Sequence, residues 1–155
     1  MFDQRNVWRT LSGAMLATLP LLSLAQAAPE PVGYVKTVAG EAWVITNDQR
    51  VKAQPGTPVL LGSRLLTSRE GALGVAFKDN TRMSFGPDTE LTVDEYLYAP
   101  AQGQLKLVTS LGKGSMNYVS GVIARLKPEA VTVKTPSGII GVRGTQFVAK
   151  VEDAQ

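Results

Sequence analysis

Any chemistry in this chain has a short list of residues to draw on. Its 155 residues include neither His nor Cys. That removes imidazole acid–base catalysis, His-assisted hydroxyl nucleophiles, thiol chemistry and the usual zinc sites. Ser, Lys, Tyr and carboxylates remain. Ser110-Leu111-Gly112-Lys113 has the spacing of a Ser/Lys acylation site, and Lys134-Thr135-Pro136 matches half of its K-T-G companion. Such a site needs its first motif at a helix start, whereas these residues fall at a strand end beside glycines. Gly112-Lys113-Gly114-Ser115 lacks the long Gly-bounded loop of a phosphate cradle, and Gly138–Gly144 lacks the dinucleotide-binding spacing. Asp88, Glu90, Asp94 and Glu95 cluster. In a strand, Glu90 and Asp94 share a face and could hold a divalent cation, yet no calcium-loop pattern surrounds them, and a solvated face accounts for them. No catalytic residue, cofactor or metal site is predicted. A hydrolase using Lys113, Asp88 and Glu90 is the remote alternative.

The most unusual chemistry lies in Val131–Val151, VTVKTPSGIIGVRGTQFVAKV. Val131 and Val133 alternate with Thr132 and Lys134, as a half-buried strand requires. Pro136-Ser137-Gly138 reads as a turn, with Gly138 free to take a positive φ. Gly138, Gly141 and Gly144 recur every third residue around a single cation, Arg143, before Phe147, Ala149 and Val151 restore the alternation. A charge among aliphatics and glycines is costly unless paired. The spacing therefore predicts a buried or half-buried Arg143 tied to loop carbonyls or to Asp79 or Asp88, and the alternative is a recognition residue presented by the Gly-rich bend. On the first reading Arg143→Ala would cost ~3–5 kcal/mol, and the stretch would be the closing strand pair that locks the core.

The elements that must position these residues are strands. Residues 1–27 read as a secretory signal peptide: Arg5 and Arg9, an apolar Leu11–Leu24, then Ala25-Gln26-Ala27, with cleavage after Ala27. The remaining chain, 28–155, reads as one domain with a core of about 32–151 and no further membrane-spanning run. Its charge falls to about +2, too balanced to indicate nucleic acid as a partner. Short alternating runs punctuated by Gly, Pro, Asn and Asp, including a two-residue Asp79-Asn80 hairpin loop, predict an all-β sandwich or a wound, jelly-roll or β-helix-like barrel. Gly112 and Gly114 separate strands at 104–111 and 115–119, and 120–128 is either a short helical turn or a loop. Thr67–Val75 faintly echoes Thr135–Val142, as similar turns meeting similar strands would.

Four motifs in order carry a family resemblance. They are Gly33–Val44 (GYVKTVAGEAWV), Leu61–Thr67 (LGSRLLT, with Ser63 where Asp is usual), the strand–turn–strand Gly71–Leu91 (with Asn80 for the usual Gly), and Val133-Lys134-Thr135-Pro136 followed by Val142-Arg143-Gly144-Thr145-Gln146-Phe147. The chain resembles the FecR family of periplasmic sensor domains over about residues 32–151. The resemblance implies an all-β, non-enzymatic binding or signal-sensing module of the bacterial periplasm. Thr135, Pro136, Gly138, Gly141, Arg143, Gly144 and Thr145 are its signature and structural candidates. In the namesake architecture a cytoplasmic segment controls a sigma factor. Here nine residues precede the apolar segment and no domain follows Gln155, which predicts a free-standing exported domain acting through an envelope protein partner. The alternative is an envelope glycan (peptidoglycan) module, stacking sugars on Tyr34, Trp43, Tyr96, Tyr98 and Tyr118 if several share one face.

Overall fold

Period-two alternation in the sequence becomes twelve strands in the computed structural model, which describes residues 26–152. The signal-peptide reading falls almost wholly outside those residues. Among them, no helix is long and apolar enough to cross a membrane. The strands are β1 (Gly33–Ala39), β2 (Ala42–Thr46), β3 (Gln49–Lys52), β4 (Pro58–Val59), β5 (Arg64–Thr67), β6 (Ala72–Phe77), β7 (Arg82–Phe85), β8 (Glu90–Ala99), β9 (Gln104–Val119), β10 (Val131–Thr135), β11 (Gly138–Gly141) and β12 (Gln146–Val151). A five-residue helix, α1 (Val122–Leu126), lies between β9 and β10. The fold is all-β, as expected.

The strands form one curled sheet in the order β3-β2-β5-β8-β9-β7-β6-β1-β4. Strand β9 makes the curl. Its first part pairs with β8 from Gln104 to Lys113, and its second part pairs with β7 from Met116 to Val119. β10 adds to the first part in parallel and β12 to the second part antiparallel. The expected break at Gly112 and Gly114 is therefore a bend within one sixteen-residue strand. Gly114 takes φ +87, which lets the strand turn from one half of the sheet into the other without ending. The inward faces of both halves share one buried cluster that includes Val35, Leu65, Val75, Leu91, Leu111 and Met116.

Local turn chemistry was partly legible. Asn47 and Asp48 both have positive φ and close the β2–β3 hairpin as a type I′ turn, which suits the right-handed twist of the strands. At 78–81 the outcome differs from the expected two-residue loop. Only Asn80 is left-handed, the connection spans Lys78 to Thr81, and Asp79 is wholly buried. Gly138 likewise has no positive φ, because Pro136 and Ser137 make the turn and Gly138 already belongs to β11. The echo between Thr67–Val75 and Thr135–Val142 is not structural. β10 and β11 form a hairpin, whereas β5 pairs with β2 and β8 while β6 pairs with β1 and β7.

Candidate functional site

The signature stretch divides into a hairpin and a cleft. Thr135 Oγ1 donates to the Gly138 carbonyl (2.9 Å) and closes the β10–β11 hairpin around Pro136. At the other end of β11 the chain dips: Val142 is 2% exposed and inserts into the core, its N–H directed at the Val131 carbonyl (3.4 Å). In extended chain, neighbours of an inward residue point outward. Arg143 is accordingly exposed. Ser120 holds the loop beyond it, its Oγ donating to the Gly144 carbonyl (2.7 Å) and its N–H to that of Thr145 (2.8 Å). Arg143, Gly141 and Gly144 then meet Glu129 and Thr132 around an open cleft of about 520 Å³. Thr135, Pro136 and Gly138 lie outside it, at the hairpin's far end.

This overturns the expectation of a buried Arg143. Among the described residues its guanidinium has no ion-pair or hydrogen-bond partner, and both proposed carboxylates are engaged elsewhere. Arg143→Ala is therefore expected to shift stability by no more than about 0.5 kcal/mol, the range of a surface change. A thermal melt checks this, and a large drop in Tm would show a structural role. The stretch also closes the core differently from expectation. β10 and β12 flank β9 on its two halves, and β11 is left at an edge.

The buried charge belongs to Asp79. Its Oδ1 accepts from the Thr81 N–H (3.3 Å) and the Tyr96 hydroxyl (3.1 Å), and its Oδ2 from Thr81 Oγ1 (2.7 Å) and the Ile123 N–H (3.2 Å). Its backbone N–H donates to the Tyr96 hydroxyl (2.9 Å), and its carbonyl accepts from the Val122 N–H (2.7 Å). One residue thus satisfies the free N–H groups at the start of α1, turns the β6–β7 loop and anchors β8. Such a carboxylate, with its acceptor sites filled, is a structural hub. Sequence reasoning missed it. The available signal was Asp-x-Thr, an Asp placed to bond the backbone two residues on.

Burial, and secondarily the nearby Asp79 charge, push the Tyr96 phenol well above its ordinary value of 10.0. Burial raises Tyr118 too. The Thr81 and Ser120 side chains oppose that rise, although the buried hydroxyl has no hydrogen bond of ordinary geometry among the described residues. For an acid whose folded pKa is raised, the stabilising neutral form is fully present below the unfolded value and is lost as pH rises through the folded one. Stability should therefore be flat on this account up to about pH 10 and fall above it. Absorbance at 295 nm should show two phenols ionising together with the loss of structure. Ionisation of all four tyrosines before any unfolding would contradict this.

The remaining chemical candidates are dispersed. Ser110 Oγ donates to Asp94 (2.5 Å), Lys113 pairs with Asp88 (2.9 Å), Lys106 with Glu95 (2.7 Å) and Arg64 with Glu90 (3.6 Å). The Ser/Lys motif therefore faces two different carboxylates, and no group of acidic side chains among the described residues is placed to hold a metal. Three of the five candidate aromatics are engaged within the fold at separate places. Tyr118 is buried against Phe147, Tyr96 stacks on Phe77, and the Arg50 guanidinium covers the Trp43 ring at 4.1 Å.

A family model described as FecR protein matches residues 63–155. The chain belongs to the FecR family. The matched FecR region runs from Ser63, within the Leu61–Thr67 motif, through the Arg143 loop, so it holds both the Asp79 hub and the cleft. The Gly33–Val44 motif precedes it, although β1 and β2 complete the same sheet. No curated protein and no solved structure matches the chain. Membership of FecR supports a signalling-related domain.

Proposed function

We propose that this FecR chain is a non-enzymatic, periplasmic binding and signal-sensing module that acts through a protein partner in the bacterial envelope. After removal of residues 1–27 it would work as a single domain, 28–155. One observation carries the reading. The buried carboxylate is fully committed to holding the fold, whereas the signature cation Arg143 stands exposed and unpaired at the lip of a cleft. A cation presented on a rigid scaffold costs stability little and is available for recognition. The FecR signature would then serve presentation at Arg143 and Gly144, and hairpin geometry at Thr135 and Pro136.

The test is crosslinking of the mature chain in periplasmic extract, run beside binding to purified cell-wall fragments. A specific protein should be retained by the native chain and lost with Arg143→Glu at unchanged Tm. Retention of cell-wall fragments without any protein would favour the glycan-binding alternative. Capture of neither would refute the proposal.

A further inference from the structure

The β10–β11 hairpin has features that its own fold does not require. Gly138 and Gly141 lack a positive φ, and a Cβ at either would meet nothing within 4 Å. Glycine weakens a strand, so such positions mark places where something else approaches the backbone. Gly71, at the turn between β5 and β6, is the contrast: a Cβ there would lie 2.3 Å from the Glu41 carbonyl oxygen, so packing explains it. Among the described residues, strand β11 has β10 on one side and no strand on the other. Alternate N–H and C=O groups along that edge therefore have no ladder partner. Ile139 is 73% exposed, while Ile140 packs against the core. At the end of the same strand, Gly141 leaves the cleft beside Arg143 open.

Charge points to the occupant. Residues 122–145 carry Arg125, Lys127, Lys134 and Arg143 against Glu129 alone, whereas the other described residues balance ten basic with ten acidic. The excess positive charge thus falls in this part of the sequence, with Lys134 on β10 and Arg143 just beyond β11.

We propose that the open edge of β11 receives an extended acidic segment of the partner protein as an added strand. One of its carboxylates enters the cleft over Gly141 and pairs with Arg143. This rests on the binding-module reading above. Main-chain hydrogen bonds along the edge supply affinity, and the cleft selects the side chain. Glu129 on the cleft lining disfavours a second carboxylate there and sets the register.

Titration of the isotope-labelled mature chain with a short peptide alternating Val and Glu, against its Val/Lys counterpart, tests the proposal by amide NMR. Saturable shifts should be confined to β10, β11 and residues 141–145, with slowed amide exchange in β11. The Lys peptide should bind about tenfold more weakly or worse, and Arg143→Glu should weaken the Glu peptide by a similar factor. Gly141→Leu fills the cleft and should also weaken binding, with Tm unchanged or raised, an outcome that a purely structural glycine would not give. Equal binding of both peptides, shifts elsewhere, no binding, or a dimer of this chain formed through β11 would overturn the proposal. If Gly141→Leu still captures the same envelope protein, the edge site is wrong and the binding-module reading stands. If the native chain captures none, both fail.

Discussion

Asp79→Ala is expected to lower the stability of this FecR domain by about 3–5 kcal/mol, and Asp79→Asn by about 2–3 kcal/mol. The first change strands the Thr81 and Ile123 N–H groups and the Tyr96 hydroxyl, all of which now bond the carboxylate. The second is informative because it keeps the shape. Each Asp79 oxygen accepts from one backbone N–H, that of Thr81 at Oδ1 and that of Ile123 at Oδ2. An amide has only one acceptor oxygen, so whichever way Asn turns, its NH₂ faces a backbone donor. The hydroxyls of Thr81 and Tyr96 can rotate to accept, but an N–H cannot. Urea unfolding monitored by circular dichroism measures both variants, and a native midpoint for Asp79→Asn would show that the carboxylate is not the hub. Since whole domains are stable by only about 5–15 kcal/mol, the Ala variant would be partly unfolded at 37 °C in a domain at the lower end of that range.

Gly114→Ala is the second large effect, expected at about 2–4 kcal/mol. At φ +87 an L-residue is strained, and the added methyl would lie 2.4 Å from Thr89 Cα and 2.2 Å from Thr89 Oγ1. Thr89 cannot easily yield. Its Oγ1 donates to the Gly86 carbonyl (2.9 Å) and accepts from the Ser115 N–H (3.0 Å), and its own N–H donates to Thr67 Oγ1 (2.8 Å). Relief would therefore disturb the bend of β9 and the crossing between the two halves of the sheet. Gly141→Ala is the matched control, with open space and no positive φ, and it should leave stability unchanged or slightly raised. Equal denaturant midpoints for the two variants would remove Gly114 as the hinge of the curl.

Much of this was readable along the chain. Alternation in Ala72–Phe77, Arg82–Phe85 and Val131–Thr135 marks strands because side chains of a strand alternate faces whatever pairs beside it. Asn47-Asp48 announces its turn because the left-handed conformation is a property of those residues. Family membership was legible for the same reason, being carried by short motifs in order, and the matched region contains two of the four whole and most of a third.

What escaped depends on residues distant in sequence. Glycines at 112 and 114 look like strand ends until the two halves of the sheet demand one continuous, bent strand between them. Asp79 looks like a surface turn residue until Tyr96 and Ile123 arrive from β8 and α1 to pay for its burial with hydrogen bonds. Arg143, among aliphatics and glycines, looks buried in sequence. Yet Val142 takes the inward position and the glycines beside Arg143 open space rather than fill it. Local chemistry determined the class of fold and the absence of His and Cys chemistry. Only tertiary packing decided which charge is buried and which is offered to solvent, because burial of a charge is set by the partners that converge on it and not by its neighbours in the chain.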